Sequence, residues 1–99
     1  HGAYSGEPHL DFERLKAIRR EVDIPLVLHG GSGSGNDNLV RAIQCGITKI
    51  NIATDLFVAG VAAGAEEGPP YMIYHRIREG YKQRLKGYME LFGQSGRAE

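Results

Sequence analysis

The chain has 99 residues, the length of about one small domain, and its hydrophobic content of 41% is ordinary for a globular protein. Twelve basic residues balance 12 acidic ones, so nothing electrostatic favours nucleic acid or a membrane surface as a partner. The one cysteine, Cys45, excludes an intramolecular disulfide and a cysteine-based zinc cluster. Because the sequence also shows no long apolar run and no signal-peptide pattern, it predicts a cytoplasmic protein.

The first predicted helix begins after Asp11, which can act as its N-cap. Its apolar residues follow helical spacing: Phe12, Leu15, Ile18 and Val22. Pro25 ends this pattern, and the continuous apolar run 26–28 follows. A continuous run is typical of a buried parallel strand that is covered on both faces, and this strand leads directly into His29 and a glycine-rich turn.

A second helix is predicted after the turn, where residues 35–38 supply capping side chains and Leu39, Val40 and Ile43 continue to Gly46. The β-branched segment 48–54 then predicts a second strand that ends on polar residues.

Two further helices are predicted after this strand. The third begins at Asp55, and because the segment 56–63 is almost wholly apolar we expect it to be mostly buried. A polar break at 66–70 precedes the fourth helix. The apolar residues of the fourth helix form one stripe: Ile73, Ile77, Tyr81, Leu85, Tyr88 and Phe92.

Helices that alternate with strands predict an α/β fold with a parallel sheet. Two strands alone leave open sheet edges, and a complete (β/α)8 barrel needs about 250 residues. The pattern therefore predicts the C-terminal portion of a TIM (β/α)8 barrel, namely about the last two strands with their helices and a C-terminal helix. We expect a fragment of one barrel domain, completed by upstream sequence or by a partner chain.

Three groups of residues are expected at the ends of strands. They are His1-Gly2, His29-Gly30-Gly31-Ser32-Gly33 and Asn51-Ile52-Ala53-Thr54. The carboxyl ends of parallel strands meet at one rim of a barrel, so we expect these groups to lie close together. Two histidines from neighbouring strands suit a divalent metal, and the glycine turn with the Asn-Thr strand end suits a phosphate.

Other interpretations of these residues exist. A histidine such as His29, taken alone, is more often a structural core residue than a ligand, and a glycine-rich stretch can be a flexible linker. The position of the glycines between a strand and a helix, and the presence of the other two groups, favour a binding site. His9 and His75 lie in polar surroundings and are interpreted as surface residues.

Together the motifs resemble a known family. Pro25-Leu-Val-Leu-His-Gly-Gly-Ser-Gly and Gly46-Ile-Thr-Lys-Ile-Asn-Ile-Ala-Thr, preceded by His1-Gly2-Ala3-Tyr4, are similar to the class II, metal-dependent ketose-bisphosphate aldolases. This resemblance runs over the whole chain and implies that residues 1–99 are the C-terminal part of a single (β/α)8 aldolase domain. The implied reaction is the reversible, zinc-dependent cleavage of fructose or tagatose 1,6-bisphosphate to dihydroxyacetone phosphate and glyceraldehyde 3-phosphate.

By motif, the resemblance makes His1 and His29 two of the family's three zinc ligands. It assigns dihydroxyacetone phosphate binding to these residues: Gly2, Gly30, Gly31, Ser32, Asn51, Ile52, Ala53 and Thr54. Some members also bind a monovalent cation such as Na⁺ or K⁺ beside the phosphate, through the backbone of the glycine loop. The resemblance further suggests Arg76 and Arg78 as contacts of the second phosphate, against the alternative of a solvated helix face.

The third zinc histidine and the catalytic aspartate of the family come from a Leu-Asp-His motif that this sequence lacks. We therefore expect no catalytic residue in the chain, no activity from the isolated chain, and either the rest of the barrel or a homo-oligomeric partner beside it. The alternatives are a non-catalytic phosphate-binding fragment or subunit without the base, and a metal-free (β/α)8 phosphate binder such as an isomerase or synthase.

Overall fold

The structure, a computed structural model, describes residues 5–98. The described part contains these elements in chain order: α1 (Phe12–Glu21), β1 (Leu26–Leu28), α2 (Asn36–Gln44), β2 (Ile47–Ile50), α3 (Thr54–Gly64), a 3-10 turn (Pro70–Met72) and α4 (Ile73–Leu91). The chain divides into two compact units, the first ending at Ile52 and the second beginning at Ala53. None of the helices described is long and apolar enough to span a membrane. That residues 1–99 belong to one barrel domain stays a prediction.

The first helix begins at the predicted cap. The Asp11 carboxylate accepts a hydrogen bond of 2.9 Å from the Arg14 backbone N–H, as an N-cap does. The helix ends at Glu21, and Val22 is already extended although its N–H still donates to the Ile18 carbonyl. The predicted helix is therefore confirmed, with Val22 one residue beyond its last turn.

The two strands of the first unit form a parallel sheet in which Val27 pairs with Lys49 and Leu28 pairs with Ile50. The core of this unit consists of Leu39 and Ala42 from α2 and Ile47 from β2, all buried. The parallel pairing is as predicted. We predicted that β1 is covered on both faces, and within residues 5–98 this is wrong. Val27 of β1 is 42% exposed, because none of these residues covers the face of the sheet on which its side chain lies.

The second helix begins at the predicted place but without the predicted side-chain cap. Its N-cap is Gly35, whose φ of +83° favours glycine and whose carbonyl accepts from the Leu39 N–H. Asn38 instead donates its side-chain amide to the Ser34 carbonyl at 2.9 Å. A glycine thus starts α2 through its backbone conformation alone.

The second strand ends earlier than predicted, at Ile50 rather than at Thr54. The reason is the backbone of Asn51, whose N–H donates to the Leu28 carbonyl while its carbonyl accepts from the Gly31 N–H, both at 2.9 Å. The chain after Ile50 therefore pairs with the loop that follows β1.

In the second unit, α3 packs closely against α4 through small residues. A Cβ built on Gly80 of α4 would lie 2.5 Å from the Ala63 Cβ and 2.7 Å from the Ala59 carbonyl oxygen of α3. Gly60 and Gly64 of α3 similarly face Ile77. Glycine and alanine at these positions let the two backbones approach.

The prediction that the third helix is mostly buried is wrong. Its buried residues are Leu56, Gly60 and Gly64. Three other large apolar residues of α3 have more than three-fifths of their surface exposed: Phe57, Val58 and Val61. The helix α4 packs on the small residues of α3 and leaves most of the surface of these three side chains exposed, so an apolar sequence does not become a buried helix here.

The fourth helix follows the predicted apolar stripe, and Phe92 is its C-cap. Within this stripe only Tyr88 is buried, while Ile73 and Leu85 are each 40% exposed. The guanidinium of Arg76 donates to the Pro69 carbonyl at 3.1 Å and to the Gly64 carbonyl at 3.5 Å, so it holds the segment that joins α3 to α4.

Candidate functional site

His29 lies directly after β1, at the carboxyl end of the sheet, and contacts the residue that follows β2. Its Nδ1 is 3.1 Å from the side-chain nitrogen of Asn51. On its other side, Asn51 accepts a hydrogen bond of 2.7 Å from the Lys49 ammonium through Oδ1. The structure thus brings together two of the predicted site residues, as expected for the ends of neighbouring parallel strands.

The contacts of Asn51 determine which hydrogen-bonding role His29 plays towards it. An ammonium only donates, so the amide oxygen of Asn51 faces Lys49 and the amide NH₂ faces His29. The Nδ1 of His29 is then the acceptor. In the neutral ring Nε2 then carries the proton, so a metal ion could bind His29 only with the loss of this hydrogen bond.

The glycine turn after His29 is an ordered part of the first unit. Gly30 has φ +64°, a conformation that favours glycine, with nothing within 4 Å of the position of a Cβ. Gly31 is constrained by contact, since its Cβ would lie 2.7 Å from Ile50 Cγ2. The Ser34 N–H closes the turn by donating to the Gly31 carbonyl at 3.2 Å. These contacts exclude the flexible-linker interpretation.

A cavity of about 520 Å³ lies on the later half of the glycine turn. The residues that line it are Glu7, Pro8, Gly33, Ser34, Gly35, Asn36, Asp37 and Asn38. The carboxylates of Glu7 and Asp37 disfavour an anion there, and the predicted phosphate-binding residues Gly30, Gly31 and Ser32 are not in its lining. This cavity is therefore not the predicted phosphate site.

Of the remaining predicted residues, Ile52 ends the first unit, whereas Ala53 and Thr54 begin the second. Ala53 is the N-cap of α3, and its carbonyl accepts from the N–H groups of Leu56 and Phe57. Thr54 is the first residue of the helix. Their predicted role in substrate binding stays a prediction.

A polar cluster in the second unit was not predicted. The buried Tyr88 donates its hydroxyl proton to the Asp55 carboxylate at 2.5 Å and accepts from Arg84 at 2.9 Å. Burial, and next the hydrogen bond to Asp55, raise the pKa of Tyr88 from 10.0 to about 12. The spacing of Arg84 and Tyr88 by one helical turn was visible in the sequence, but their distant partner Asp55 was not.

The predicted residues His1 and Gly2 lie outside the described part of the chain. Between residues 5 and 98 there is no group of three or more His, Cys, Asp or Glu side chains that could hold a metal ion. His75 is exposed and its Nδ1 lies 3.3 Å from the Arg78 guanidinium, so the structure shows these two residues in contact with each other on α4.

Comparison with known proteins identifies the family. The family model for class II fructose-bisphosphate aldolase matches residues 1–97. The chain belongs to this aldolase family. Family membership makes the chain part of a lyase family, and it confirms the resemblance that the sequence motifs indicated.

Among similar proteins, the aldolase family member YdjI of Escherichia coli K12, described as an uncharacterized protein, is 43% identical over 101 residues. The match covers the whole of this chain and 36% of YdjI. A crystal structure of the YdjI aldolase superposes with a TM-score of 0.86 at 41% identity, over 94% of this chain and 37% of YdjI. The chain thus spans about a third of the length of its aldolase relative, and its α/β arrangement is that of part of an aldolase.

Proposed function

We propose that the chain carries part of the active site of a zinc-dependent class II aldolase that cleaves a ketose 1,6-bisphosphate, fructose or tagatose, to dihydroxyacetone phosphate and glyceraldehyde 3-phosphate. The contact of 3.1 Å between His29 and Asn51 carries this proposal. It joins a predicted metal ligand to a predicted substrate ligand at the carboxyl ends of two parallel strands, the place where (β/α)8 enzymes assemble their sites.

The donor chemistry of His29 fits zinc, because a neutral imidazole nitrogen is a usual zinc ligand. Zinc binding would break the hydrogen bond that Asn51 donates to Nδ1 of His29. His29 would hold the metal together with His1, and a further ligand would come from the rest of a (β/α)8 domain of which residues 1–99 are the C-terminal part. When bound, zinc polarises the ketone of the substrate.

The chain's own residues bind and orient in this proposal. Asn51 orients the ring of His29 before the metal binds, and the absence of a side chain at Gly31 lets the loop lie against Ile50 and Asn51. The backbone N–H groups of Gly30 and Ser32 bind phosphate, as glycine-rich turns do, while the Gly31 N–H holds the loop on the Asn51 carbonyl. A Na⁺ or K⁺ ion beside this loop belongs to the same proposal, whereas the proton-transferring aspartate comes from outside the chain.

A chimera tests this function. Residues 1–99 replace the matching third of YdjI, and retro-aldol cleavage of fructose and tagatose 1,6-bisphosphate is measured with and without added zinc. We expect zinc-dependent cleavage that His29→Ala abolishes, while His9→Ala, at an exposed position, retains it. Cleavage that needs no metal, or that survives His29→Ala, would contradict the proposal, and phosphate binding without turnover would favour the non-catalytic alternative.

A further inference from the structure

We propose that Tyr88 and Arg84 of α4 are positioning residues for Thr54, acting through Asp55. The inference deepens the proposed function and rests on it, because it takes Thr54 as a residue that binds the substrate phosphate. It concerns residues of the second unit alone, and neither the family resemblance nor the sequence motifs assign a role to Tyr88 or Arg84.

The hydrogen bonds of Tyr88 hold Asp55 from α4. The tyrosine hydroxyl donates to Asp55 Oδ2 at 2.5 Å, the short distance of a bond to an ionised acceptor. The same hydroxyl accepts from Arg84 Nη2 at 2.9 Å, and Arg84 Nη2 lies 3.8 Å from the carboxylate. Both roles of the hydroxyl are therefore used, and the negative charge of Asp55 has a cation beside it.

The ring of Tyr88 is held as firmly as its hydroxyl. The residue is 5% exposed, and its ring stacks on Phe92 with 5.6 Å between centroids. The guanidinium of Arg84 lies 4.5 Å from the ring centroid, at cation–π distance. These contacts fix the position of the Tyr88 hydroxyl, and thereby the position of the Asp55 carboxylate that bonds to it.

Asp55 transmits this position to Thr54 because the two residues are consecutive in the first turn of α3. The N-cap of this helix is Ala53, where no side chain makes a capping hydrogen bond. The bond from Tyr88 to Asp55 ties this first turn to α4.

The test compares Tyr88→Phe with Tyr81→Phe in the full chain. Both variants lose one hydroxyl from α4, but Tyr81 meets α3 through its ring, which packs edge-to-face on Phe57. The ¹⁵N-labelled proteins are titrated with dihydroxyacetone phosphate, and with inorganic phosphate separately, while the Thr54 amide signal is followed. All titrations are run well below the unfolding midpoint of each variant, where a loss of stability alone leaves the dissociation constant unchanged.

We expect Tyr88→Phe to weaken binding of dihydroxyacetone phosphate about three- to tenfold, the equivalent of part of one hydrogen bond to a charged group. Arg84→Gln should weaken it in the same direction by less, because the Arg84 side chain is 45% exposed, and Tyr81→Phe should leave it unchanged. Wild-type chain that binds neither probe would overturn the phosphate role of Thr54 and the inference with it. Wild-type chain that binds, with Tyr88→Phe and Arg84→Gln binding equally well, would overturn the positioning role alone.

Discussion

Gly30 and Gly31 are neighbouring glycines that the fold requires for different physical reasons. Gly30 has φ +64° with open space around the position of a Cβ, so its requirement is one of backbone conformation. Gly31 has no such conformation, but its Cβ would lie 2.7 Å from Ile50 Cγ2 and 3.2 Å from the Asn51 carbonyl oxygen. The loop after His29 therefore combines one conformational constraint with one steric constraint.

Substitution by alanine and asparagine should separate the two constraints. We expect Gly31→Ala to lower the free energy of unfolding by about 1–3 kcal/mol through overpacking, and Gly30→Ala to lower it by about 1–2 kcal/mol through backbone strain. Because asparagine tolerates positive φ, Gly30→Asn should recover part of the loss, whereas Gly31→Asn should not. Urea unfolding measures all four variants, and an equal response of the two positions to asparagine would refute this distinction.

The raised pKa of Tyr88 makes stability depend on pH in the alkaline range. The folded protein keeps the Tyr88 proton up to about pH 12, whereas the ordinary pKa is 10.0. The stabilisation is therefore complete below pH 10 and is lost as pH rises towards 12, because there the unfolded chain binds fewer protons. Unfolding free energies measured across this range should decline less in Tyr88→Phe than in wild type. Tyr74→Phe, at an exposed position, is the control that should retain the decline.

At the scale of elements, two glycines of α4 differ in how closely other atoms approach them, and only one of the two lies where α3 packs on α4. Gly80 has atoms of Ala59 and Ala63 within 3 Å of the position of a Cβ, whereas Gly87 has nothing within 4 Å. Both lie inside α4, where glycine costs about 1 kcal/mol relative to alanine. The same substitution should therefore have opposite effects at the two positions.

We expect Gly80→Ala to destabilise the protein by about 1–3 kcal/mol, because the added methyl group forces the two helices apart. Gly87→Ala should stabilise it by about 0.5–1 kcal/mol, through helix propensity alone. Thermal and urea unfolding of the two variants check the signs. A stabilising Gly80→Ala would mean that α3 and α4 approach less closely than the structure shows.

The elements predicted correctly are those that local sequence determines. Asp11 and a helical apolar pattern were sufficient for α1, and a repeated stripe was sufficient for α4. The end of β2 could not be predicted, because it depends on hydrogen bonds from Asn51 to residues on the other strand and its loop. The exposure of α3 was missed because apolar composition does not reveal which face a neighbouring helix covers.

The same distinction applies to the candidate site. The contact of His29 with Asn51 was expected, because the ends of neighbouring parallel strands share one edge of a sheet. The bond of Tyr88 to Asp55 joins residues that are 33 positions apart on two helices, and no strand register relates them. Sequence patterns were therefore sufficient to indicate the residues at the strand ends. The polar cluster of Asp55, Arg84 and Tyr88 became visible only in the structure.

Across the whole molecule, much apolar surface of the described residues faces outward. Val58 and Val61 are 62% and 69% exposed, and with Thr54, Phe57 and Ala62 they line an open apolar cavity of about 450 Å³. Contiguous apolar surface of this kind binds apolar dyes.

We expect the chain to increase the fluorescence of 8-anilinonaphthalene-1-sulfonate, and we expect Val58→Lys with Val61→Lys to reduce that increase. Lysine has a higher helix propensity than valine, so circular dichroism should show α3 retained. Gln83→Lys adds the same kind of charge at an exposed position on α4 and should leave dye fluorescence unchanged. Equal fluorescence of the double variant and wild type would place the dye elsewhere.

The two backbone hydrogen bonds of Asn51 have a consequence for how the glycine loop can change in length. They tie Leu28 and Gly31 to the one residue that follows β2, so the segment between Leu28 and Gly31 has a fixed span. From Ser32 the chain leads through the turn at Ser34 to Gly35, the N-cap of α2. Among aldolases of this family, the number of residues from His29 to Gly31 should therefore stay constant.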